Sequence, residues 1–328
     1  MAGRARLILG RARTVTTTQI APAARRDAQK PPRRRERRDG AAWVFLSPWL
    51  IGAALLTIGP MIASLILSFT DYDLFTDPQF VGTANYERMF FEDPRFWKSV
   101  GVTLNYVLVA VPLKLAAALG IALLLNRSRK GQGFYRSAFY APSLLGASVA
   151  VAIVWRTLFS QEGVVDNTLN VFGLDLGGWI SNPALALYVL VTLAVWQFGA
   201  PMVIFLAGLK QIPSELYDAA SVDGAGRWRT FWSVTWPLLS PVLFFNLVLE
   251  MIGAFQSFTS AYVVSGGRGG PIDSTLFFTL YLYDRGFTAF DMGYASAMAW
   301  FLLIVIAIVT ALIFRSSRSW VHYTGDER

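Results

Sequence analysis

The 328-residue chain has no cysteine and a single histidine, His322, close to its C-terminus. Disulfides and thiolate metal sites are therefore excluded. No histidine metal cluster or His-based nucleophilic triad can be assembled either. Charge is also scarce: Asp, Glu, Lys and Arg make up 15% of the residues, against about a quarter in soluble domains. Apolar residues fill the gap at 54%, in long blocks and not in amphipathic stripes. Such a chain has lipid as its solvent.

A formal net charge of +8 suggests a nucleic-acid partner until the charge is located. Residues 1–40 hold twelve Lys and Arg against Asp27, Glu36 and Asp39, a net of +9, which leaves −1 for residues 41–328. The basicity belongs to one tail, which ends in Arg33-Arg34-Arg35-Glu36-Arg37-Arg38. Its Ala, Thr and Pro content and few large apolar residues predict a disordered segment. A cytoplasmic tail drawn to anionic headgroups is the simpler reading, with an organellar transit peptide as the alternative. No nucleic acid is expected as a partner.

A bilayer core about 30 Å thick needs roughly 20 apolar residues in a helix. Six stretches within 41–328 meet that length: about 43–69, 100–125, 139–159, 184–209, 236–264 and 292–314. The first carries no charge from Ala41 to Thr70 and shows no cleavage site after it, so it reads as a span and not as a signal peptide. The expected fold class is an all-α polytopic membrane protein. Leaving the tail aside, the loops on the side of the termini hold ten Lys and Arg and the opposite loops five, which places both termini in the cytoplasm. The stretch Gly266-Gly267-Arg268-Gly269-Gly270-Pro271 lacks the Lys-Ser/Thr of a phosphate-binding loop, so it reads as a turn and no ATP site is expected. After it, Ser274 to Phe287 is apolar and aromatic enough to pack on the outer membrane face or on a partner.

The second large cytoplasmic loop, 210–237, is the most informative. Pro213 suits the start of a helix, and Glu215 and Asp218 favour its positive end. Leu216, Ala219 and Ala220 give that helix a small apolar face, and Gly224 and Gly226 allow the turn that ends it. A second helical stretch then runs from Arg227 to Trp236, and Pro237 opens the fifth span. Periodicity alone leaves two readings open: an elbow that docks a soluble partner, or a connector lying on the surface.

Asp218-Ala219-Ala220, three residues, Gly224, nine residues and Val234-Thr235-Trp236-Pro237 resemble the Glu-Ala-Ala signature of permease subunits of binding-protein-dependent ATP-binding cassette importers. Asp218, Val234 and Trp236 stand where the family has Glu, Ile and Leu. Further motifs resemble its carbohydrate-uptake branch: Val81-Gly82-x-x-Asn85-Tyr86, Leu124-Leu125-Asn126-Arg127, Phe134-Tyr135-Arg136 leading to Pro142, and Phe290 to Ala297. The likeness covers nearly everything after residue 43. It implies a six-helix type I importer permease fold in a bacterial-type inner membrane, without cofactor, metal or catalytic residues of its own. It implies four partners: a second homologous permease, a cytoplasmic ATPase dimer, an extracytoplasmic binding protein and a sugar. Glu215, Asp218, Ala219, Ala220, Gly224 and Pro237 would then couple to the ATPase.

Polar residues within the spans are the other candidates, because a charge near the bilayer centre costs about 2.5–3.5 kcal/mol on insertion scales and usually faces a cavity or a partner. Asn246 and Glu250 lie at i, i+4 on one face of span five, Gln256 follows, and Gln197 lies in span four. They form either a substrate path, with Trp196 and Phe255 stacking on a sugar ring, or hydrogen bonds within the bundle. Lys114 has three candidate partners: Glu250, a headgroup or substrate. A polyol or glycerol phosphate is the alternative substrate, although a phosphate calls for cations that spans four to six lack. A polytopic enzyme would need convergent acids, bases or metal ligands that are absent, and a channel has no use for the elbow. The charge bias generates a direct test: a cysteine at Asp175 labels from outside, and one at Gly226 labels only after permeabilisation. Outside labelling at Gly226 would overturn the orientation.

Overall fold

The computed structural model describes residues 39–126, 131–146, 148–173 and 177–322. Residues 1–38 of the basic tail, together with Arg127, Arg129 and Lys130, lie outside the described residues. The chain divides into two units, Met1–Ala54 and Leu55–Arg328. In the first unit, helix α1 (Asp39–Ala53) carries Pro48 in its interior, and its large side chains Trp43, Val44, Phe45 and Trp49 are exposed.

Among the described residues there is no β-strand beyond a single bridge between Thr70 and Phe80. Four helical stretches are long and apolar enough to cross a membrane: Trp43–Leu67, Pro94–Leu125, Arg227–Phe255 and Met292–Trp320. Two more candidate spans are bent pairs. Helices α5 (Gln132–Leu145) and α6 (Val149–Leu158) meet at 96°, and α8 (Ala186–Trp196) and α9 (Gly199–Gln211) meet at 42°. Taking each pair as one span gives six.

Helix α4 (Pro94–Leu125) is the centre of the second unit and packs against α8, α9 and α12 (Trp236–Phe255). Its buried Ala110, Ala118 and Ala122 are small enough for helix axes to approach closely, which is how helices associate where lipid supplies no hydrophobic drive. The helix begins at Pro94, six residues before the apolar stretch, because Asp93 and Pro94 form a start signal that hydropathy does not register. The Asp93 carboxylate accepts from the Arg95 and Phe96 N–H groups at 3.0 and 3.2 Å, and proline fits the first turn.

The last helix, α15 (Met292–Trp320), packs against α2 (Gly59–Leu67) and α12. Beyond the expected end at 314 it continues through Arg315 and Arg318. Its end is fastened to the start of α12: Trp320 meets Phe244, and the His322 N–H donates to Ser240 Oγ at 2.9 Å. Span five, expected to reach 264, stops at Phe255 and restarts as α13 (Thr259–Ser265).

Two motifs far apart in sequence meet at the end of α2. Asn85, in the short helix α3 (Ala84–Glu87), donates to the Ser68 and Thr70 carbonyls at 3.0 and 2.8 Å, and the Tyr86 hydroxyl lies 2.9 Å from Ser68 Oγ. Gly293 donates to the Tyr72 carbonyl at 2.9 Å, and a Cβ there would sit 2.0 Å from Thr70 O. Only glycine permits that approach.

The segment from 274 to 287, whose composition suits the outer membrane face or a partner, packs for the most part within its own chain. Helix α14 (Phe278–Tyr283) inserts into the bundle, and Leu276, Phe277, Phe278, Leu280 and Tyr281 are buried. What draws it in is Asp93. Its second carboxylate oxygen accepts from the Tyr281 and Tyr294 hydroxyls at 2.5 and 2.6 Å, with Arg285 at 3.8 Å. Ahead of α14, Ile272 and Asp273 hold left-handed φ values of 52° and 55°, unfavourable for residues with a Cβ. A two-pronged Arg95–Asp273 ion pair at 2.8 and 2.9 Å holds the turn in place.

Burial pushes the Asp93 carboxyl up, but the hydroxyls of Tyr281 and Tyr294, the Phe96 N–H and Arg285 outweigh it and leave the group below its ordinary value. The Tyr281 phenol is pushed up to about 12, first by burial and then by its bond to Asp93. A carboxylate lowered in the native state contributes stability that is present above its unfolded value and lost as pH falls through the lowered one. Asp93→Asn should therefore lower the thermal midpoint at neutral pH and flatten the acid limb of the stability–pH curve. The loss should be about 1.5–3 kcal/mol per charged hydrogen bond broken. An unchanged acid limb in pH-resolved thermal melts would refute this role.

Candidate functional site

Three helices are interrupted around one cavity of about 270 Å³, which Gly146, Gln197 and Ser257 line at the three breaks. The breaks fall between α5 and α6, between α8 and α9, and between α12 and α13. A broken helix leaves carbonyls and N–H groups without intrahelical partners, and within lipid they must be satisfied by protein or by a water-lined cavity.

Here they are satisfied mutually. The Gln197 side-chain amide donates to the Gly146 carbonyl at 2.9 Å, crossing from the α8–α9 break to the α5–α6 break. Ser143 Oγ donates to the Gln197 carbonyl at 2.8 Å and accepts from the Ala200 N–H at 2.9 Å. Ser148 caps α6 by accepting from the Val151 N–H. At the third break the Thr279 hydroxyl donates to the Ser257 carbonyl at 2.6 Å. A Cβ at Gly146 would lie 2.3 Å from Gln197 carbons, so any larger residue there displaces that side chain and with it the amide contact.

Across the cavity wall Lys114 of α4 and Glu250 of α12 pair at 2.7 Å, with 16% and 20% of their side chains exposed. No other charged side chain lines the cavity among the described residues. Around the pair stand the Tyr106 and Phe258 rings and the hydroxyls of Ser257, Thr259 and Ser260.

Of the polar residues singled out in the sequence, Gln197 and Glu250 line this cavity. Asn246 does not: it is 1% exposed, and its Nδ2 finds no partner among the described residues. Gln256 is exposed and off the cavity wall, although it borders the third break. The rings named for stacking are elsewhere too: Phe255 is buried, and Trp196 packs on Trp155 at 5.3 Å. Tyr106 and the hydroxyls were missed because apolar runs containing Ser and Thr show no break in hydropathy.

The elbow is an exposed, separately built feature. Helix α10 (Ser214–Val222) follows Pro213, and Glu215, Asp218 and Ala219 face solvent while Ala220 is half-buried. Gly224 has φ +71°, and the Ala225 N–H returns to the Ala220 carbonyl at 2.9 Å, closing the helix as a glycine cap does. A short helix, α11 (Arg227–Thr230), and one wide turn lead to Pro237 in the first turn of α12. The Tyr217 hydroxyl lies 3.3 Å from Thr235 Oγ1, tying α10 to the entrance of α12. Trp236 packs tilted against Trp232, ring centroids 5.3 Å apart, while Trp228 and Val222 are left 77% and 88% exposed.

Residues 94–322 match the family model described as "Binding-protein-dependent transport system inner membrane component". The chain belongs to that family. It is 50% identical over 302 residues to the "Probable ABC transporter permease protein YesP" of Bacillus subtilis (strain 168), covering 92% of this chain and 98% of that protein. It is 31% identical over 286 residues to the "Lactose transport system permease protein LacF" of Rhizobium radiobacter, covering 85% and 95%. A solved chain of a bacterial alginate ABC transporter, in complex with alginate pentasaccharide-bound periplasmic protein, shares the fold with a TM-score of 0.73. The likeness covers 86% of this chain and 95% of that one at 21% identity.

The two amides of this region should behave oppositely. Gln197→Leu strands the Gly146 carbonyl at a helix break, and should lower thermal stability by about 1–3 kcal/mol. Asn246→Leu removes a buried group that has no partner, and should be neutral or stabilising by the same logic. Melting curves of the purified protein compare them directly, and the reverse order would contradict this account.

Proposed function

We propose that this protein is the membrane-spanning permease subunit of an ATP-driven importer, and that its cargo is a sugar delivered by an extracytoplasmic binding protein. The observation that carries the reading is the exposed elbow. Residues Glu215, Asp218, Ala219, Ala220 and Gly224 form a short helix and cap with uncovered apolar neighbours, and Pro237 joins the elbow directly to the span that holds Glu250. A motion imposed on α10 passes through the turn at 223–226 into the continuous helical run Arg227–Phe255, which reaches the cavity wall. Support for a sugar comes from relatives named for lactose and arabinooligosaccharide transport, and from a cavity rich in hydroxyls and amides. Its charged residues balance, so among the described residues the cavity offers a phosphorylated polyol no free cation.

In this reading the chain hydrolyses no ATP itself. Residues 41–328 form the permease domain, with both termini and the 210–237 elbow in the cytoplasm, and the tail is an appendage. The elbow helix seats in a cleft of a cytoplasmic ATPase dimer, where the Asp218 carboxylate meets cationic or backbone donors and the small Ala219 and Ala220 allow close approach. A second, homologous permease completes the pathway around the cavity.

Gly224→Val is the sharpest probe, because φ +71° strains a β-branched residue although a Cβ has open space there. Asp218→Lys reverses one exposed charge far from the spans. Both variants should insert and assemble with the second permease, yet lose uptake by an order of magnitude or more, corresponding to over about 1.4 kcal/mol of coupling. The check is uptake in vesicles beside pull-down of the ATPase subunit. Normal uptake by both variants would reduce the elbow to a connector.

A further inference from the structure

The Lys114–Glu250 pair calls for an explanation beyond packing. Removing two ions from water costs several kcal/mol each, and a buried pair often stabilises less than apolar residues of the same volume. If the pair served only to join α4 to α12, it would be an expensive way of doing so beside the small-residue packing those helices already have. The pair does not lie sealed in the contact between the two helices. It lies on the wall of the 270 Å³ cavity, each side chain about one-fifth exposed, on a wall that also carries the hydroxyls of Ser257, Thr259 and Ser260.

We infer that Lys114 and Glu250 together are the hydroxyl-reading element of the cavity: as the two side chains part from their direct contact, a sugar hydroxyl bridges them, accepting from the Lys114 ammonium and donating to the Glu250 carboxylate. This rests on the sugar-importer reading and specifies how that cargo is recognised. The argument is one of charge balance and donor inventory. Lys114 has only donors and Glu250 only acceptors, so the 2.7 Å contact holds one of each in a single place. A hydroxyl is both donor and acceptor, and it can enter without changing the net charge of the cavity. A carboxylate or phosphate at the same point would displace Glu250 from Lys114 and leave a second anion uncompensated in a water-poor site, which is costly. Any acidic group on the sugar is therefore held elsewhere, and this pair reads a neutral hydroxyl. The Ser257 and Ser260 hydroxyls, 3.2 Å apart at the third helix break, supply further adaptable partners on the same wall.

The test uses the complete transporter in proteoliposomes with its binding protein, and compares a transported sugar with its monodeoxy analogues. For the wild-type protein, one deoxy position should reduce uptake roughly ten- to a hundredfold, as expected for a lost hydrogen bond to a charged group. In Glu250→Gln, and in Lys114→Met with Glu250→Leu combined, discrimination at that position should fall towards onefold while the other positions keep theirs. The binding protein is the same in every arm, so its own preference cancels in the ratio. A purely structural pair would change the amount of assembled protein or the overall rate, but not the ratio at one hydroxyl. Unchanged discrimination at every position in Glu250→Gln and the double variant overturns the inference, even if uptake is slower. Failure of the wild-type protein to take up any sugar overturns the sugar-importer reading instead.

Discussion

Within lipid a broken helix has to hand its freed carbonyls and N–H groups to another partner, and the Gln197 amide on the Gly146 carbonyl does this at one break while Ser143 Oγ, between the Gln197 carbonyl and the Ala200 N–H, does it at the other. The cavity depends on those contacts. If the breaks were closed into straight helices, the polar backbone would be satisfied along each helix and the space between them would fill with Leu, Val and Ala side chains. With the breaks open, the walls offer hydroxyls, amides and one balanced ion pair within otherwise apolar surroundings. Glycine at the crossing leaves the Gln197 side chain the volume a Cβ would take. The site is thus a product of backbone geometry first and of side-chain chemistry second.

Asp93 has a comparable role at the start of α4. One oxygen ends the orphaned N–H groups of the longest span, and the other gathers two tyrosine hydroxyls from α14 and α15. A single carboxylate therefore sets where the central helix begins and draws an aromatic segment into the core. The ion pairs of Arg95 with Asp273 and of Arg88 with Asp291 surround it. The turn between α13 and α14, with its run of left-handed residues, is held by the Arg95–Asp273 pair.

The elbow follows a different logic. It has few buried side chains, and it is held to the rest mainly by the Tyr217–Thr235 contact and by its covalent continuity with α12. An element so lightly anchored, set one turn away from the helical run that reaches the cavity, contributes little to the stability of the fold. The large exposed rings of Trp228 and Trp232 are consistent with a face that is covered when a partner is present.

Much of this was legible in the residues. The apolar block lengths determined that the protein is a helical membrane protein, because roughly 20 apolar residues are what a bilayer core demands. The Asp218–Gly224–Pro237 spacing determined the elbow, since helix starts, glycine caps and proline entries are local backbone rules that no distant contact needs to decide. The Glu250 charge within span five pointed to a polar environment, because an unpaired charge there is too costly to be incidental. Only the tertiary structure decided the partners: that Glu250 faces Lys114, that Gln197 lies across Gly146, and that Asn246, on the same helical face as Glu250 by spacing, is buried away from the cavity. The tertiary structure also placed most of 275–281, expected on the outer membrane face or on a partner, within the core of its own chain. Helical periodicity states which side chains share a face, but which face meets which depends on breaks and crossings set by contacts up to two hundred residues apart, such as Asp93 with Tyr294.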